Sequence, residues 1–151
     1  MNVTFYGATR GVTGSMHMIT TQDDRILLDC GMYQGYRKET RAKNSSFPFD
    51  PRLISNVILS HAHIDHSGRL PLLTKNGFTG RIICTNATSD ACKYLLSDSA
   101  HIQESDAAYL NYKAVRSLLS QMNTTNKDKR SIQKGLKKNG HKLDLEAIDK
   151  V

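Results

Sequence analysis

The sequence predicts a layered α/β domain, and three observations carry that prediction. The first third of the chain alternates short apolar runs with glycine-rich or polar turns, the pattern of a β meander. Two later strand-like runs, VILS at 57–60 and RIICT at 81–85, are each followed by residues with helical spacing. At 151 residues the chain is long enough for one domain with its own hydrophobic core and too short for two of ordinary size.

The elements follow in order. Val3 to Tyr6 alternates apolar and polar residues and reads as a strand, closed by a turn region from Gly7 to Gly14. The stretch GATRGVTGS at 7–15 lacks both the GxGxxG spacing and the GKS or GKT ending of a phosphate loop, so it is read as a turn. Met16 to Thr20 resumes the strand pattern, and RILLD at 25–29 follows a polar turn. Residues 31–52 form a polar connection with a short helix around Arg37 to Lys43. VILS then reads as a short buried strand, and Ser67 to Asn76 as a helix ending at Gly77. After the strand at Arg81 to Thr85, the apolar spacing over Thr88 to Tyr112 suits one or two helices.

The character changes near Ser117. Residues 123–142 hold seven lysines or arginines, with Ile132 and Leu136 as the large apolar residues, and read as a basic helix or arm. A last short helix is expected from Asp144 to Val151. The domain reading is therefore 1–116 for the layered part and 117–151 for a basic helical extension.

Composition narrows the class. A hydrophobic fraction of 38% and a charged fraction of 23% fit a globular chain. No apolar run is long enough to span a bilayer, and MNVTFYGATR does not read as a signal peptide, so the expected location is cytoplasmic, without membrane contact. Cys30, Cys84 and Cys92 have no CxxC spacing and read as reduced, mostly buried thiols. The net charge of +7 favours polyanionic partners such as nucleic acid.

The chemistry concentrates at HAHIDH, residues 61–66, which packs three imidazoles and a carboxylate into six positions. Residues two apart on an extended strand point the same way, so His61 and His63 can reach one metal, while the following turn lets Asp65 and His66 reach a second point nearby. Imidazoles and a carboxylate suit zinc, and equally manganese or iron. Asp29 ends the RILLD strand, where its carboxylate either accepts a proton from the rear nitrogen of a ligating imidazole or caps the strand against a turn. His17 and His101 read as structural, on a strand and a helix. The basic run from Lys127 to Lys142 reads equally as a contact for RNA phosphates or as a solvated face.

The combination of GATRGVTGS, LLDCGMYQG at 27–35, FPFDP at 47–51, ILSHAHIDHSGRLPLL at 58–73 and DSAHIQESDA at 98–107 resembles the metallo-β-lactamase superfamily, and more closely its β-CASP branch of RNA-processing nucleases. The resemblance covers roughly residues 1–112. It implies an αββα sandwich of two similar halves, of which these residues form about the N-terminal half. It implies His61 and His63 on one zinc, Asp65 and His66 on a second, and Asp29 behind the histidines as support. It also implies a ribonuclease in which the metals lower the pKa of a bound water and Asp65 orients that water and takes its proton.

Two departures accompany the resemblance. Gly11 stands where the family usually has a glutamate. The family also completes its site with a further histidine, an aspartate bridging both metals and a late histidine, and inserts a β-CASP domain that closes over RNA. None of these is found in the 151 residues, and the surroundings of His141 do not match the late motif. Half a sandwich leaves one sheet face without its partner layer, which is expected either of a piece of a longer protein, or of a chain completed by a homo-oligomer or a complementing chain, or of a truncated protein that has lost activity. The alternatives are a superfamily hydrolase of thioesters, lactones or other small esters, and a non-catalytic metal- or RNA-binding module that docks on a partner.

Overall fold

A computed structural model describes residues 1–121 together with residues 130 and 134. It divides into two compact units, Met1–Ser99 and Ala100–Val151. The first unit is built on five strands whose spatial order follows the chain: β1 (Asn2–Phe5), β2 (His17–Thr20), β3 (Arg25–Leu28), β4 (Asn56–Ile58) and β5 (Arg81–Ile83). β1, β2 and β3 pair antiparallel, as a meander joined by short turns must, and β3, β4 and β5 pair parallel.

The parallel pairs require crossovers, and helices supply them. Between β3 and β4 lie α1 (Arg37–Asn44) and a single 3-10 turn at Pro51–Leu53, opened by Asp50, whose carboxylate accepts from the Arg52 N–H at 3.0 Å. Between β4 and β5 lie α2 (Ile64–Ser67) and α3 (Leu70–Lys75). The helix expected over 67–76 thus divides in two. Pro71 lies in the first turn of α3, where its missing N–H is tolerated, so a new helix starts there. It ends as expected before Gly77, whose φ of 97° is left-handed.

Strand register separates two faces. Met18, Leu27 and Val57 are cross-strand neighbours, all buried, and they join Leu59, Leu70, Leu73 and Phe78 in one core cluster beneath α3. The other face carries Phe5, His17, Leu28, Ile58 and Ile83 in a second row across the sheet. Phe5 is 61% exposed and Ile83 51%. VILS is therefore not uniformly buried: Val57 and Leu59 face the core, and Ile58 faces out. At the edge, all of β5 is exposed.

The region read as one or two helices is a single helix, α4, running Asn86–Gln121 through both units. No glycine or proline occurs from Arg81 to Gln121 to interrupt it. Thr85 Oγ1 accepts from the Thr88 N–H at 3.2 Å and satisfies a first-turn amide. In the second unit Val115 is buried, while Ile102, Tyr109 and Leu110 are exposed. No helix among the described residues is long and apolar enough to cross a membrane. The basic run at 123–142, apart from residues 130 and 134, the expected helix at 144–151 and His141 lie outside the described residues.

Candidate metal centre

The site begins where β3 and β4 end side by side. Leu28 pairs with Ile58, and just past it the Asp29 N–H donates to the Ile58 carbonyl at 2.9 Å. Asp29 then turns with φ 58°, a left-handed conformation that a short polar side chain tolerates better than most. The turn buries its carboxylate beside Ser60, the last residue before the histidines.

The backbone of the ligand segment is held from below. The Ser15 N–H donates to the Asp65 carbonyl (2.8 Å), Cys30 N–H to His66 carbonyl (2.8 Å) and Met32 N–H to Ile64 carbonyl (2.9 Å). The Arg69 N–H returns to the Cys30 carbonyl at 2.9 Å. The fit is tight at Gly31, where a β-carbon would lie 1.7 Å from the Asp65 carbonyl oxygen, so only glycine allows the two segments to approach. Ser67 is fully buried, and its hydroxyl donates to the Ala62 carbonyl at 2.8 Å, closing the loop on itself.

This frame brings the predicted side chains together. Asp65 and His66 sit on α2 and His63 immediately precedes it, so the turn expected after the strand is one turn of helix. The His61 ring lies 4.6 Å from that of His63 and 4.0 Å from that of His66, centroid to centroid. Asp29 Oδ2 accepts from His66 Nδ1 at 2.8 Å, while its carboxylate also takes the Ser60 N–H (2.8 Å), the Ser60 hydroxyl (3.0 Å) and the Ser15 hydroxyl (3.1 Å). Asp29 therefore both caps the strand end and holds the His66 imidazole by a hydrogen bond.

Electrostatics agrees with that geometry. Burial alone would raise the Asp29 carboxyl, but the Ser60 N–H, His66 and the Ser60 hydroxyl outweigh it and hold the group below its ordinary value. An ionised Asp29 accepts from His66 Nδ1–H, which leaves Nε2 as the ring atom through which a metal would be held. Nε2 stands 3.6 Å from Asp65 Oδ2. That separation is beyond hydrogen-bond range, yet close to the edge of a tetrahedron, about 3.4 Å for metal bonds of about 2.1 Å. A carboxylate oxygen and a ring nitrogen at this distance suit two donors to one cation. Around that pair the donors are not fully gathered: no group of three or more among the described residues is spaced to hold a metal ion. The His61 Nδ1 lies 3.0 Å from the Ser60 hydroxyl, and His63 is exposed.

Ser15, Ser60 and Gly31 are site residues that pattern reading did not single out. Ser60 carries a signal in hindsight, a hydroxyl between a strand end and the histidines. Elsewhere among the described residues, the His17 ring meets the edge of Phe5 at 5.2 Å, and His101 is exposed, with Glu104 3.8 Å away. All three cysteines are free; Cys30 is buried, Cys84 and Cys92 half-buried.

The profile of the metallo-beta-lactamase superfamily matches residues 9–111. The chain belongs to this superfamily. A metallo-β-lactamase fold implies a metal cofactor, and the donor set above has the chemistry for one. Among its relatives, Ribonuclease TTHA0252 of Thermus thermophilus is 41% identical over 104 residues, 69% of this chain and 24% of that protein. Transcription termination factor FttA of Methanocaldococcus jannaschii is 30% identical, covering 74% of this chain and 18% of its own length. Integrator complex subunit 11 of Gallus gallus is 33% identical, covering 65% and 17%. The chain thus spans a quarter or less of the length of these curated relatives. Among solved structures, human tRNase Z, short form, overlays with a TM-score of 0.43 at 20% identity, covering 66% of this chain and 41% of the other.

Proposed function

We propose that these residues form the metal-binding part of an RNA phosphodiesterase of the β-CASP branch, with His61 and His63 on one zinc ion, Asp65 and His66 on the second, and manganese or iron as alternative metals. The observation that carries this reading is the chain of contacts from Asp29 Oδ2 through His66 to Asp65 Oδ2, 2.8 Å from one ring nitrogen and 3.6 Å from the other. Bound divalent ions would supply Lewis-acid activation of water and of the phosphodiester. Within the chain, Asp29 holds the His66 ring with Nε2 toward the ligand position, Ser60 keeps Asp29 ionised, and Ser60 and Ser15 keep it in place. Asp65 Oδ2 faces the same position and accepts the proton of the attacking water. The names of the ribonuclease relatives and the net charge of +7 support RNA over a small ester as substrate.

The test is cleavage of single-stranded RNA by the zinc-loaded intact protein, alongside Asp65→Ala. Metal-dependent cleavage that the variant loses is expected. Absence of cleavage by the zinc-loaded protein, or equal rates for the two, overturns the reading. We further infer that the exposed row Phe5, Ile58 and Ile83 takes a second sheet layer, from another segment or from a second chain. Sedimentation of Phe5→Lys against wild type checks this: a drop in self-association supports a second copy as that layer.

A further inference from the structure

A cavity of about 550 Å³ lies between the Gly7–Gly14 turn and the segment following α1. Its walls carry Arg10, Lys43 and Arg69 and no carboxylate. Arg69 is the unusual member. The residue is only 5% exposed, yet it makes no ion pair among the described residues, and no acceptor reaches its Nε. Its Nη2 donates to the Ser46 carbonyl, and its guanidinium lies 4.1 Å above the Phe47 ring. Those contacts position the group without neutralising it, and burial pulls its pKa down from the ordinary arginine value. A guanidinium taken out of water is costly unless an anion accompanies it.

The other two cations stand nearer solvent. Lys43 Nζ rests 3.8 Å above the Tyr33 ring and 3.8 Å from Glu39 Oε2, an exposed pair that leaves the ammonium available. Arg10 is exposed on the turn itself. Tyr6 and Phe47 add flat apolar wall, with ring centroids of 5.1 Å and 5.3 Å to Phe49 between them. Three cations, with a carboxylate beside only the exposed Lys43, suit a multiply charged anion better than a single carboxylate, and a planar guanidinium fork matches phosphate oxygens.

We propose that this cavity binds a phosphate group, held by Arg69 with Lys43 and Arg10 at its mouth, in a ligand whose organic part lies against Tyr6 and Phe47. The site is separate from the histidine cluster and does not rest on the ribonuclease reading. The two regions share a backbone seam all the same: Gly14 and Gly31 line the cavity, and the adjoining Ser15 N–H bonds the Asp65 carbonyl.

Calorimetric titration of the 151-residue chain with inorganic phosphate, with AMP and with a short 5′-hydroxyl RNA, at ionic strength fixed by chloride, tests the proposal. Saturable one-site binding of at least one of these is expected. The surface double variant Arg10→Gln/Lys43→Gln should weaken it about tenfold or more, and Arg69→Lys, which keeps the charge and loses the fork, should weaken it too, with an unchanged circular dichroism spectrum. Tightest binding of phosphate or AMP identifies a small phosphorylated ligand; tightest binding of RNA identifies a nucleic-acid phosphate. The proposal is overturned if none of the three saturates the wild-type chain, or if both variants bind as wild type does.

Discussion

Replacing Asp29 by asparagine isolates the role of one negative charge. Asparagine has the same shape and tolerates the φ of 58° equally well, so the backbone turn is preserved. What changes is the atom facing His66. Oδ2 now accepts from His66 Nδ1, Ser60 Oγ and Ser15 Oγ at 2.8, 3.0 and 3.1 Å. The backbone Ser60 N–H, 2.8 Å from Oδ1, is a fixed donor that keeps the amide oxygen on its side, so the amide NH2 group faces the ring. The two hydroxyls can rotate to suit it, but a ring N–H cannot. The imidazole must therefore shift its proton to Nε2 or lose the bond, and either way the lone pair aimed toward Asp65 is spoiled. Loss of such an orienting partner costs about 10- to 100-fold in metal affinity. Loss of a charged hydrogen bond in a side chain only 10% exposed should also cost about 1.5–3 kcal/mol of stability. Zinc affinity by chelator competition and stability by urea unfolding measure the two effects, and nitrogen NMR of the His66 ring reads the tautomer directly. Wild-type zinc affinity together with an unchanged His66 tautomer in Asp29→Asn would refute the reasoning.

The remaining predictions concern pH, packing and thiol chemistry. Because the Asp29 carboxyl is held below its unfolded value of about 3.9, its stabilisation is present above that pH and is lost as pH falls through the folded value; acid titration of stability should show this loss in wild type and not in Asp29→Asn. In Gly31→Ala the new β-carbon would sit 1.7 Å from the Asp65 carbonyl oxygen, so the two segments must part; a loss of about 1–3 kcal/mol in urea unfolding is expected, with weakened zinc binding. Burial pushes the Cys30 thiol up to about 12, so it should resist alkylation at pH 8 while the chain is folded and react in denaturant, as counted by mass spectrometry.

What was legible in the sequence was local. Strand and helix periods are read over a few neighbouring residues, so the five strands and α1 appear near their expected positions. The ligand segment is also local, with its donors inside six positions. Longer links left little trace. The Ser15 and Ser60 hydroxyls reach Asp29 across 14 and 31 residues, and His66 reaches it across 37, separations that no short pattern encodes. Asp29 could be nominated because it ends an apolar strand, whereas its choice of His66 over the other histidines depended on the tertiary turn. α2 escaped notice because four residues are too few to display a helical period. Ile58 misled in another way: the apolar run VILS reads as buried, and only register shows that Ile58 faces outward between Val57 and Leu59.

The main-chain bonds that hold residues 64–66 from outside the segment come from amides of Ser15, Cys30 and Met32 to carbonyls, and beside them the His66 side chain is tied to the frame through Asp29. Apart from that link, scaffold and chemistry are written in different atoms. Exchanging His61, His63 or the Asp65 carboxylate edits the chemistry while the loop keeps its path, so such variants should crystallise alike and differ only in what they bind. The same separation makes the loop a socket into which other donor sets can be designed, provided that glycine is kept at position 31.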